Sequence, residues 1–140
     1  MNIIGRWIGY YEYGVGYSLP HFGKRVKIEV ILKGDNEIFF GTVLEEESEY
    51  AVPLKGKITG FSEDNIISFI KSYPQTPLLK EEGNTEIIMK KGVFNIEHEG
   101  IIDAENKSMY GSWSIYTTET DEEGSYEYNS YGIWLLKSTK

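Results

Sequence analysis

The feature that most constrains this chain is an alternation of apolar and polar residues with a period of two, restarted repeatedly after short clusters of turn-forming residues. Val26, Ile28, Val30 and Leu32 alternate with Lys27, Glu29, Ile31 and Lys33, which gives an extended segment one apolar face and one mostly wetted face. No comparable stripe recurs at helical spacing. The same reading predicts strands over residues 5–13, 25–33, 37–45, 54–62, 65–73, 93–103, 107–116 and 131–138. Residues 34–36, 63–64 and 104–106 are short polar turns, rich in the Gly, Asp and Asn that tight hairpins require. The other connections, residues 14–24, 46–53, 74–92 and 117–130, are long. In a meander, alternate connections lie at opposite ends, so the long loops gather at one end and the tight turns at the other.

Eight antiparallel strands with no helix to cover a sheet face are best stabilised by closing on themselves, which removes exposed edges. The expected fold is therefore all-β, one domain over residues 1–140, an eight-stranded antiparallel up-and-down barrel. A two-layer sandwich is the structural alternative. Gly9, Gly41, Gly56, Gly60, Gly100 and Gly111 interrupt good strand sequence and fit the sharp bends of a closed sheet.

Taking the apolar parity as the interior turns Trp7, Tyr11 and Tyr13 inward from the first strand, Ile58 from the fourth, and Phe94, Ile96 and His98 from the sixth. Met109 and Trp113 follow from the seventh, and Trp134 and Leu136 from the eighth. Strands three and five are ambiguous, because Ile38, Phe39, Phe40, Ile66, Ile67, Phe69 and Ile70 put apolar groups on both faces. Exposed apolar area of that kind makes a homo-oligomer an expected possibility.

All three tryptophans occur as Gly-x-Trp: Gly5-Arg6-Trp7, Gly111-Ser112-Trp113 and Gly132-Ile133-Trp134. With the ending Gly132-Ile133-Trp134-Leu135-Leu136, the pattern resembles the calycin superfamily of small ligand-binding barrels, and within it the avidin-like and lipocalin-like proteins. The resemblance implies a noncatalytic barrel holding a small molecule at its open end, with Trp7 closing the floor and Trp134 forming a pocket wall. Gly9 stands where a biotin binder of that kind would offer a polar amide, so biotin itself is not the expected ligand.

The composition excludes several functions. The chain has 14 Lys+Arg against 22 Asp+Glu, a formal charge of −8, which disfavours a nucleic-acid partner because backbone binding needs clustered cations. With no Cys there is neither a disulfide nor a thiolate site. The two histidines, His21 and His98, have no metal-ligand spacing, and no metal or cofactor is expected. No apolar run reaches the roughly 18 residues that span a bilayer, and no leader pattern opens the chain, so the expected location is cytoplasmic with no membrane contact.

The candidate site is the loop-rich end. Tyr11, Trp113 and Trp134 are expected walls, Tyr13, Tyr17 and Phe22 border the entrance, and His98 is the expected polar contact and the one ionisable group placed inside. The expected ligand is apolar or aromatic, since tyrosine and tryptophan offer flat apolar area with a hydrogen-bonding tip. The acidic runs at Glu45-Glu46-Glu47 with Glu49, and at Glu119 with Asp121, Glu122 and Glu123, are expected to make a negative rim. That rim supports an alternative, an immunity-like or inhibitor-like module binding a basic protein. A second alternative is a barrel enzyme using His98 with a nearby carboxylate. A lined cavity of about 300 Å³ or more is the mark of ligand binding, whereas a filled barrel favours the protein partner.

Overall fold

The computed structural model describes residues 1–81, 83–121 and 124–140. They form β1 (Gly5–Tyr13), β2 (Arg25–Gly34), β3 (Ile38–Glu45), β4 (Gly56–Glu63), β5 (Ile66–Leu79), β6 (Ile87–Asp103), β7 (Ser108–Asp121) and β8 (Gly124–Ser138). Each strand pairs with its neighbour in sequence and β8 returns to β1, so the sheet closes into the eight-stranded antiparallel barrel expected from the periodicity. The closing seam runs from Trp7 opposite Ser138 to Tyr13 opposite Gly132. Among the described residues no helix is long and apolar enough to cross a membrane.

Two of the four expected long loops are instead strand. β5 and β6 continue past the barrel wall from Gln75 opposite Lys91 to Leu79 opposite Ile87, and β7 and β8 continue to Asp121 opposite Gly124. Pro74 and Pro77 argue against strand in the sequence, but Pro74 falls at the register shift between Tyr73 and Gln75, and Pro77 lies where β5 pairs with β6 alone. A proline there deprives no second neighbour of a hydrogen bond. The two remaining long loops, residues 14–24 and 46–55, stay at the open end.

Register resolves the two ambiguous strands. Phe39 and Phe69 both lie opposite Gly60 and both are buried, so the inward set is Phe39, Val43 and Glu45 on β3, and Ile67, Phe69, Lys71 and Tyr73 on β5. Ile38, Phe40, Phe61, Ile66 and Ile70 are left exposed.

The Gly-x-Trp motifs of β7 and β8 interlock across the strands. Trp113 lies opposite Gly132 and Trp134 opposite Gly111; a Cβ at Gly132 would fall 2.1 Å from Trp113 Cε2. Only glycine leaves that indole its place. At the closed end, Trp7 Nε1–H donates to the Ile3 carbonyl at 2.8 Å, and Ile3 N–H donates to Asn36 Oδ1 at 2.9 Å. These bonds draw the first residues under the barrel, where Ile3 and Trp7 are each 1% exposed.

Candidate functional site

The inward parity of β3 runs apolar through Phe39 and Val43 and then reaches Glu45, whose side chain is 1% exposed. Glu45 belongs to the interior and not to the expected acidic rim. Its Oε1 accepts the Tyr11 hydroxyl at 2.5 Å and the Val52 amide at 2.8 Å, and its Oε2 accepts the Tyr73 hydroxyl. The parity of β5 reaches Lys71 two residues after Phe69, 3% exposed, with its Nζ 3.9 Å from Glu45 Oε2. The same ammonium sits 4.3 Å from the Tyr11 ring centroid and 5.2 Å from that of Tyr73. A buried ion pair thus joins β3 to β5, with two tyrosines and a loop amide completing the carboxylate's shell. Such a pair needs those extra hydrogen bonds, because the attraction alone does not offset removing two charges from water.

Burial sets the titration of this cluster. It raises the Tyr11 and Tyr73 hydroxyls well above their ordinary range, and the Glu45 carboxylate beside them acts in the same direction. Tyr13 is pushed up to about 12, chiefly by burial. Lys71 is lowered by burial, against the opposing pull of Glu45. His98 is lowered to about 3 by burial and then by the Lys71 charge, so its ring is neutral at neutral pH. Nδ1 lies 3.1 Å from the Ile96 carbonyl oxygen; a carbonyl only accepts, so Nδ1 carries the proton and Nε2 is left as an acceptor. The histidine is not the one ionisable group inside the barrel: Glu45 and Lys71 share the interior with it.

Above this cluster, at the end where the long loops gather, lies a cavity of about 100 Å³. Its walls are Tyr11, Tyr13, Trp113, Phe94 and Ile96, with Lys71, Tyr73 and His98 among its polar contacts, and Pro77, Leu79 and Ile87 of the β5–β6 extension on one side. Tyr13 is the centre of the aromatic lining, with ring centroids 4.8 Å from Tyr17, 5.2 Å from His21, 5.5 Å from Tyr11 and 6.1 Å from Trp113. Its hydroxyl donates to the Tyr50 carbonyl at 2.5 Å, which ties loop 46–55 to the wall. Loop 14–24 is held to β8 by Gly14 N–H donating to the Tyr131 carbonyl at 2.8 Å and Tyr131 N–H donating to the Val15 carbonyl at 2.7 Å. Tyr17 and His21 of that loop line the cavity as well.

Of the residues singled out in the sequence, Tyr11, Tyr13, Tyr17, His98 and Trp113 meet around this space. Phe22 does not; it is 52% exposed. Trp134 lies deeper, 5.2 Å from Phe69 and 6.3 Å from His98 between ring centroids. It borders a separate void of about 10 Å³, room for one water at most. Glu122 and Glu123 of the expected rim lie outside the described residues, while Glu46, Glu47 and Glu49 are exposed. A larger groove of about 580 Å³ sits at the closed end between Met1, Asn36, Phe61 and Asp64. It is formed by Met1, the turns at residues 36–37 and 64–65, the end of β4 and Ile102 of β6. Among the described residues no three His, Asp or Glu side chains gather into a metal site.

Lys71, Tyr73 and Tyr50 are unforeseen members of the cavity lining, and Glu45 is an unforeseen member of the polar cluster beneath it. The signal for Lys71 was its place two residues from Phe69 and from Tyr73, on a strand whose inward face the sequence leaves open.

Compared with protein-family models, with curated proteins and with solved structures, the chain matches none of them. Fold and site therefore define the molecule by themselves: a closed eight-stranded antiparallel barrel with an aromatic chamber over a buried Lys–Glu pair.

Proposed function

We propose that this protein binds a small, compact apolar or aromatic molecule inside the open end of the barrel, without catalysis. The observation that carries the reading is the cavity itself: aromatic walls from four strands and two loops converge over one polar base. Concave, mostly apolar sites with few placed polar groups are the usual form of small-molecule sites. Against the enzyme alternative, the hydrogen-bonded partner of His98 among the described residues is the Ile96 carbonyl and not a carboxylate. The space of about 100 Å³ is below that of drug-sized sites, so the ligand is small or enters as the loops give way. Native mass spectrometry of the protein purified from its source tests this: a retained organic molecule is the expected result, and a bare chain from every preparation contradicts it.

The cavity's small size favours a second reading, in which the tyrosine-bearing open end masks a basic protein. Capture of a basic partner that Tyr17→Ala abolishes, with no small molecule retained, decides for it. Self-association through the exposed Phe40, Phe61 and Ile70 face is compatible with either reading and is tested by light scattering.

A further inference from the structure

The two members of the buried ion pair are unequally satisfied. Glu45 receives hydrogen bonds from Tyr11, Val52 and Tyr73, so its acceptor capacity is used within the protein. Lys71 is the reverse. Its Nζ stands 3.9 Å from Glu45 Oε2, beyond a hydrogen bond, and its remaining contacts are the faces of the Tyr11 and Tyr73 rings. An ammonium carries three N–H donors, and a ring face attracts the charge without replacing an acceptor oxygen. Lys71 lines both the cavity and the small void beneath it, so its unmet donors border the space a guest would occupy.

Charge arithmetic sets the kind of guest. At the buried base Glu45 and Lys71 sum to zero, while Glu49, the acidic residue that lines the cavity, is exposed to solvent. His98 is neutral, and burial holds the Tyr11 and Tyr73 hydroxyls protonated. A carboxylate guest would add a second negative charge beside Glu45, and an ammonium guest would meet the like charge of Lys71. An uncharged guest with one acceptor oxygen satisfies the lysine and leaves the balance intact. Resting on the ligand-binding reading above, we propose that the cavity takes an uncharged carbonyl compound with an aromatic or aliphatic body, whose oxygen accepts a hydrogen bond from Lys71 Nζ.

Acetophenone, ethylbenzene, benzoate and benzylamine share a ring and differ in the group offered to Lys71. Calorimetric titration of the four into the full chain is expected to show acetophenone binding roughly tenfold or more tighter than ethylbenzene, the range of a hydrogen bond to a charged group, with benzoate and benzylamine weaker than acetophenone. Lys71→Met removes the donor but leaves Glu45 unpaired, so the charge-neutral double variant Glu45→Gln with Lys71→Met is the decisive one. In it the two uncharged probes are expected to bind alike. Equal binding of acetophenone and ethylbenzene to the wild type, tightest binding of benzoate, or an acetophenone preference that survives in the folded double variant overturns the proposal and leaves the ligand-binding reading standing. Binding of none of the four to the wild type removes both.

Discussion

The two halves of the barrel interior are built from the same strands but do different work. Towards the closed end, Trp7, Phe39, Ile58, Ile67, Met109 and Leu136 are each 2% exposed or less, and the void between them and the Lys71–Glu45 pair is only about 10 Å³. At the open end the same inward rows change character. β3 passes from Val43 to Glu45, β5 from Phe69 to Lys71 and Tyr73, and β1 from Trp7 to Tyr11 and Tyr13. Period two decides which residues face inward and is silent about how polarity changes along that face. A barrel can therefore be a packed core in its lower half and a lined chamber in its upper half, with the boundary set by a few residues.

The comparison can be broken by mutation, and the largest effect is expected at the closed end. Trp7→Ala removes a fully buried indole and its bond to Ile3, and is expected to cost about 3–5 kcal/mol in urea unfolding; a loss under about 1 kcal/mol would mean that the floor is not the packed half. Next comes Lys71→Met, which strands the Glu45 carboxylate, at about 3 kcal/mol. The charge-neutral double variant is expected to recover most of that loss, and equal losses in both would show that the lysine contributes by packing alone.

The pH dependence sharpens the contrast. His98 has its folded pKa depressed to about 3, from about 6.5 in the unfolded chain. The neutral ring's contribution is therefore complete above about pH 6.5 and is lost as the pH falls towards 3, by slightly more than 1 kcal/mol for each unit. Subtracting the stability–pH curve of His98→Phe from that of the wild type isolates it, and a flat difference between pH 6.5 and 4 would contradict the burial of an uncharged ring. The smallest effect is expected outside the barrel. Arg6 and Glu29 are paired at 2.6 Å but are about half and a third exposed, so Arg6→Ala is expected to cost under about 1 kcal/mol, checked by the same urea titration.

Much of the fold was legible because its determinants are local. Alternation on β2 and the turns Gly34-Asp35-Asn36 and Ala104-Glu105-Asn106 speak for themselves, and the meander then assigns the ends. The extensions of β5–β6 and β7–β8 were hidden because prolines and acidic residues are penalised in a strand that has neighbours on both sides, and these stretches have one. The aromatic half of the chamber was visible as tyrosines at the upper ends of β1 and its adjoining loop. The ionic half was not. Glu45 reads with Glu46 and Glu47 as a solvated run, and Lys71 sits among apolar residues of both parities. Only the register of β5 against Ile58 and Ile96 turns it inward, and register is a property of the closed sheet.

The central claim is that the interior is hollow above the Lys71–Glu45 pair and solid below it. Crystals pressurised with xenon test it most directly, since xenon enters apolar cavities that lack an occupant. The expected result is a xenon atom among Tyr13, Trp113 and Ile115 with none between Trp7 and Leu136. Xenon in the lower half, or an upper half that admits none, would contradict the account.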